Sequence, residues 1–82
     1  MNNVELGQRI KACRQYCQMT QTDLAIASNL SRAFIAHIEA GTRKGSIETL
    51  YVLCKALGVN SDYLLGLSDQ ANFRHDIDDM KE

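Results

Sequence analysis

The stretch QTDLAIASNLSRAFIAHIEA, residues 21–40, reads as two short helices joined by a tight turn. Leu24 and Ala25 supply the inward face of the first helix, and Ala25 is small enough for a second helix to cross closely over it. Ile35 and Ile38 supply the inward face of the second. Between them Asn29 stands where the chain must reverse, and asparagine enters the left-handed backbone region more readily than any residue except glycine. Thr20, with Asp23 three places on, can close a capping box at the start of the first helix, and Ser31 can cap the second. Both helices therefore carry a start signal in the sequence.

Working outward, Leu6, Ile10, Cys13 and Cys17 recur at helical spacing, which predicts an amphipathic helix from about Val4 to Cys17. After a loop from Gly41 to Gly45, Ser46 opens a fourth helix with Leu50, Leu53 and Leu57 inward, and Gly58 closes it. Asn60 or Ser61 then caps a short fifth helix ending near Leu65. The fold class expected is all-α. The succession RIKACR, TQTDLA, IEAGTR, SIETL, ALGV and DYLLG resembles the Cro and phage-repressor helix-turn-helix family, the XRE-type regulators, from Leu6 to Leu67. Six landmarks in order are far more specific than a single motif. The resemblance implies a compact five-helix, lambda-repressor-like DNA-binding domain over residues 1–67, with the helix-turn-helix at its second and third helices. It departs from the family at Ser28, where an apolar residue is usual, at Asn29, which replaces the usual glycine, and at Gly45, where proline is frequent.

Eighty-two residues make one small domain with a modest core. The longest uninterrupted apolar run is Leu50 to Cys54, against the ~20 residues that span a bilayer, so no membrane association is expected. MNNVELG has neither the basic region nor the apolar stretch of a signal peptide, and the expected location is the cytoplasm. Cys13, Cys17 and Cys54 lack disulfide-framework spacing, and no second CxxC or HxxxH accompanies them, so they read as core thiols. No metal and no cofactor are expected. Nor is an enzyme, because the chain has no glycine-rich phosphate loop, no paired carboxylates in an apolar setting and no Ser/His/Asp order.

The formal net charge of -1 is far from the strongly basic balance of many nucleic-acid binders. Its distribution is uneven. Residues 1–67 carry a balance of +2, and residues 68–82, an acidic tail, one of -3. The NFRHDIDDMKE portion of that tail is weakly patterned, either a frayed helix or disordered. Arg9, Lys11, Arg32, Arg43 and Lys44 fall in elements that would border a bound duplex, the footprint that electrostatic binding requires.

If Ile35 and Ile38 point inward, an advance of about 100° per residue puts Ala33, Ala36, His37 and Ala40 on the opposite face. Alanines there let the backbone approach base edges, and their methyl groups can pack on thymine. Arg32, in the first turn, can reach guanine O6 and N7 bidentately. The residues matching Arg32, Ala33 and His37 are the family's usual base readers. Phe34, on the flank, either touches a thymine methyl or sugar edge or covers a neighbouring helix. His37 and Arg32 also have plainer readings, as a surface histidine and a solvated helix-start residue. Phosphate contacts are expected from Gln21, the family's usual backbone clamp at a helix N-terminus, from Ser31, from Thr42, Arg43 and Lys44 in the following loop, and from Arg9 and Lys11. Arg14 and Glu39 match a family pair that ties the first helix to the end of the reading helix.

The function implied is a sequence-specific transcriptional regulator, most simply a repressor, that binds an inverted-repeat operator in double-stranded DNA as a homodimer. The expected dimer surface lies around Val59, Tyr63, Leu64 and Leu67, since Tyr63 and Leu64 or Leu67 cannot all be buried in one small core. A DNA-binding antitoxin or a protein-binding helical adaptor would use the same fold with another partner.

Overall fold

The computed structural model describes residues 2–74, and five helices follow one another along it: α1 (Asn3–Tyr16), α2 (Gln21–Ser28), α3 (Arg32–Ala40), α4 (Ile47–Leu57) and α5 (Ser61–Leu64). The start signals act as local chemistry predicts. Thr20 Oγ1 accepts from the Asp23 N–H at 3.0 Å while Asp23 accepts from the Thr20 N–H at 2.9 Å, closing the capping box of α2. That hydrogen bonding holds the Asp23 carboxyl below its usual range. Ser31 accepts from the Phe34 N–H at 3.0 Å and Ser46 from the Thr49 N–H at 3.1 Å. Asn2 caps α1 in the same way, accepting from the Glu5 N–H at 2.8 Å.

The turn between α2 and α3 also forms as expected, with Asn29 left-handed at φ 59°. Leu30 N–H reaches back to the Ala25 carbonyl and Asn29 N–H to that of Ile26, a Schellman ending. Ser28, the polar departure from the family pattern, is buried because its hydroxyl donates to the Leu24 carbonyl at 2.7 Å, so its burial leaves no orphaned group.

One core joins all five helices. Ile10, Leu24, Ile35, Ile38, Leu53, Leu57 and Leu64 are its largest fully buried members. Cys13 lies in it with a free thiol, and burial, first among the causes, pushes that thiol up to about 11. Cys17 and Cys54 are half-buried against the same cluster, and the Cys17 thiol donates to the Leu57 carbonyl at 3.5 Å. α1 crosses α3 closely at Gly7. A Cβ on Gly7 would meet the Ile38 carbonyl and lie 2.6 Å from the Glu39 carbonyl oxygen, so only a glycine allows the two backbones to lie this near.

Beyond α5 the chain continues to pack on the core past residue 67. Phe73 is buried in the core, stacks on Tyr16 at 4.4 Å between ring centroids, and forms an isolated antiparallel bridge with Val59. Asn60 N–H donates to the Asn72 carbonyl at 3.0 Å and Asn72 N–H to the Asn60 side chain at 2.7 Å. Residues 68–73 are therefore irregular chain tied to the folded body, and Arg74 is helical. The rest of the expected acidic tail, residues 75–82, lies outside the described residues. Among the described residues, no helix is long and apolar enough to cross a membrane.

Candidate nucleic-acid interface

One face of α3 is left uncovered by the other helices. Ile35, Ile38 and Glu39 are buried, whereas Arg32, Ala33, His37 and Ala40 are exposed, and Phe34 and Ala36 sit half-buried at its margins. This is the division the helical period implies. Arg32 enters no ion pair or side-chain hydrogen bond among the described residues, so its guanidinium is available to a ligand.

The helix is held by a carboxylate shared among three elements. Glu39, with 3% of its side chain exposed, accepts from Arg14 of α1 through Nε at 2.6 Å and Nη2 at 3.0 Å, and from the Gln21 amide of α2 at 3.2 Å. Arg14 Nη1 also donates to the Met19 carbonyl at 2.8 Å, tying in the α1–α2 connection. The hydrogen bond to Glu39 raises the Arg14 pKa further, so the guanidinium stays charged. The pairing of Arg14 with Glu39 is thus a contact of the fold, and Gln21, expected as a phosphate clamp, has one amide hydrogen committed to the same carboxylate.

After α3, Gly41 turns left-handed at φ 79° and completes a Schellman ending, with Gly41 N–H on the Ile38 carbonyl and Thr42 N–H on the His37 carbonyl, both at 3.0 Å. Thr42 is therefore folded back over His37. Its hydroxyl donates to the His37 carbonyl at 3.1 Å and meets His37 Nδ1 at 3.0 Å. Both Thr42 donors are committed to α3 in the single chain. Arg43 and Lys44 are exposed beside it. The Arg43 guanidinium carbon lies 5.8 Å from the Phe34 ring centroid, so Phe34 serves as a platform for that cation.

Arg9 has partners within the chain. Its Nη1 donates to the carbonyls of Tyr63 at 2.6 Å and Ser68 at 2.9 Å, its Nη2 faces Asp69 at 3.5 Å, and its guanidinium lies 4.4 Å above the Tyr63 ring. It fastens α5 and the following segment to α1. Lys11 is exposed on α1.

The residues of the expected dimer surface differ in exposure. Val59 is 4% and Leu64 0% exposed, so both belong to the protomer's own core, and Tyr63 is half-buried beneath Arg9. Only Leu67, at 77%, is open. A different apolar face lies between α4 and α5, where Ile47, Leu50, Tyr51, Cys54, Leu64 and Leu65 line a groove of about 390 Å³ with Ile47 and Tyr51 at its rim, exposed to 86% and 60%. Ile47 and Tyr51 stand four apart and off the inward stripe of Leu50, Leu53 and Leu57, a signal present in the sequence that the inward residues overshadowed.

Comparison with known proteins fits this geometry. The immunity repressor protein of Bacillus phage phi105 is 41% identical over 61 residues, 74% of this chain but only 42% of the repressor, so the likeness concerns less than half of that protein. Control protein C.BamHI of Bacillus amyloliquefaciens is 36% identical over 74 residues, covering 87% of this chain and 91% of the relative. Among solved structures, the tetramer of the restriction-modification controller protein C.Esp1396I in complex with its natural 35 base-pair operator superposes with a TM-score of 0.71 at 34% identity, over 79% of this chain and 86% of the controller. The resemblance read from six sequence landmarks is borne out: residues 5–65 match the family model described as a helix-turn-helix domain, and the chain belongs to that family.

Proposed function

We propose that this protein is a sequence-specific DNA-binding regulator of transcription, acting as a repressor or controller, and that it binds an inverted-repeat operator as a homodimer with α3 in the major groove. The observation that carries the reading is the bare face of α3, with Arg32, Ala33, Ala36 and His37 outward on a helix anchored from behind by Arg14 and Gln21 through Glu39. Arg32 reads guanine, Ala33 and Ala36 pack on base edges, and His37 reads a second base. Phe34 contributes its ring edge and the support of Arg43. Phosphate contacts come from Arg43 and Lys44, from the Ser31 hydroxyl, from Lys11, and from the remaining amide hydrogen of Gln21 beside the α2 N-terminus. Two copies meet through the α4–α5 groove. The phage immunity repressor, the BamHI control protein and the operator-bound tetramer of C.Esp1396I support the same role. Such a protein works as a binder, not a catalyst, where the chromosome is, in the cytoplasm.

The test is selection of duplex DNA from a random pool by the purified protein, followed by affinity measurements over a range of salt. An inverted repeat should emerge, and log affinity should fall linearly with log salt with a slope of several displaced counterions, reduced in Arg43→Ala/Lys44→Ala without a change in base preference. Recovery of no common sequence, or a slope near zero, would remove the DNA-binding reading.

A further inference from the structure

The contacts of Thr42 determine which nitrogen of His37 is free to meet DNA. A carbonyl oxygen can only accept, so in the 3.1 Å contact with the His37 carbonyl the single hydroxyl proton of Thr42 lies on that bond. Oγ1 then has only lone pairs to present to the ring. Both contacts are satisfied at once only when His37 Nδ1, 3.0 Å from the same oxygen, carries a proton and donates it. A neutral imidazole holds one ring proton. With that proton on Nδ1, Nε2 is left as a bare acceptor at the outer end of an exposed side chain.

We infer that Thr42 is a positioning residue that locks neutral His37 in its Nδ1–H tautomer, so that Nε2 selects a base bearing an exocyclic amino group, adenine N6 or cytosine N4. The inference rests on the reading that α3 enters the major groove. There the amino groups of adenine and cytosine are the only base-edge donors, whereas guanine O6 and N7 and thymine O4 are acceptors that would face the Nε2 lone pair. On the contacted strand His37 thus separates amino bases from keto bases. It cannot by itself separate adenine from cytosine. The lock is set by backbone geometry: the left-handed Gly41 and the Thr42 N–H on the His37 carbonyl hold Oγ1 over the ring.

Two measurements test this independently. In DNA selection, the wild type should return adenine or cytosine at one position of each half-site, with roughly three- to tenfold lower affinity when a keto base is placed there. Thr42→Val keeps the shape of the side chain but frees the ring to carry its proton on Nε2, so guanine and thymine should be admitted and the ratio should fall toward one. Thr42→Ser, which keeps the hydroxyl, should behave as the wild type. His37→Ala should lose discrimination at that position alone. A keto base preferred there by the wild type, or unchanged selectivity in Thr42→Val, overturns the inference while leaving DNA binding intact; failure to select any DNA removes the underlying reading instead. The second measurement needs no DNA. In nitrogen-15 spectra of the imidazole at alkaline pH, where an ordinary histidine is neutral, the wild type and Thr42→Ser should hold the proton on Nδ1 and Thr42→Val should show a mixture. A wild-type ring protonated on Nε2 overturns the lock whatever the selection returns.

Discussion

Gly7 shows how one missing side chain places a recognition helix. A methyl group there would lie 2.6 Å from the Glu39 carbonyl oxygen and against that of Ile38, both backbone atoms of α3 that cannot turn aside. Two effects oppose each other in Gly7→Ala. Alanine favours the helix by about 1 kcal/mol, but forcing two packed backbones apart costs about 1–3 kcal/mol and moves the helix that carries Arg32 and His37. The second effect wins, because the obstacle is main chain and not the flexible end of a side chain. Gly7→Ala should therefore lower the urea midpoint and weaken DNA binding. A mutant as stable as the wild type would mean that α1 and α3 lie farther apart than this packing requires. At the same scale, what sequence could and could not disclose is clear. The caps at Thr20, Ser31 and Ser46 were legible because donor and acceptor stand three residues apart. The partners of Arg9 were not, since Tyr63 and Ser68 come near it only when α5 folds back across more than fifty residues. Neither was the role of Thr42, whose distance from His37 depends on the left-handed Gly41 and not on any residue type.

Among elements, the Glu39 carboxylate links α1, α2 and α3. Its side chain is almost fully buried, so its charge is tolerated only because Arg14 answers it bidentately. Removing Arg14 leaves a buried carboxylate with the Gln21 amide as its remaining partner among the described residues. Arg14→Ala should accordingly cost about 2–4 kcal/mol. If the uncompensated charge is the cause, Glu39→Gln introduced into Arg14→Ala should recover part of the loss, since a neutral amide is easier to bury. Chemical denaturation of the single and double mutants measures this, and a double mutant no more stable than Arg14→Ala would assign the loss to packing of the arginine stem. The elements themselves were readable in advance because their apolar spacing and caps agree. The segment after α5 was not. Phe73 is a single aromatic in a polar context, with no periodicity to announce that it docks between Tyr16 and Val59.

For the whole molecule, the question is how one small domain comes to read two half-sites. The apolar groove between α4 and α5 is bordered by Ile47, Tyr51 and Leu65, all open to solvent in the single chain, and a cluster of this kind on a small protein marks a contact surface. Under the proposed pairing a second copy would cover it, since an isologous contact buries the same apolar residues twice. Lys55 Nζ, 5.3 Å from the Tyr51 ring centroid, sits at the rim, where a charge does not have to be desolvated. Tyr51→Glu should put a carboxylate in this contact while leaving the core untouched, since Tyr51 is 60% exposed. Sedimentation should then show a monomer with unchanged helicity. Affinity for a two-half-site operator should fall by about a hundredfold or more, because the second half-site is no longer held at high effective concentration, whereas the weak affinity for a single half-site should stay the same. Leu67→Glu provides the contrast, for Leu67 is as open as Tyr51 but lies past α5, outside the groove. If Leu67→Glu yields the monomer and Tyr51→Glu remains a dimer, the two copies meet at the end of α5 and the groove serves another purpose.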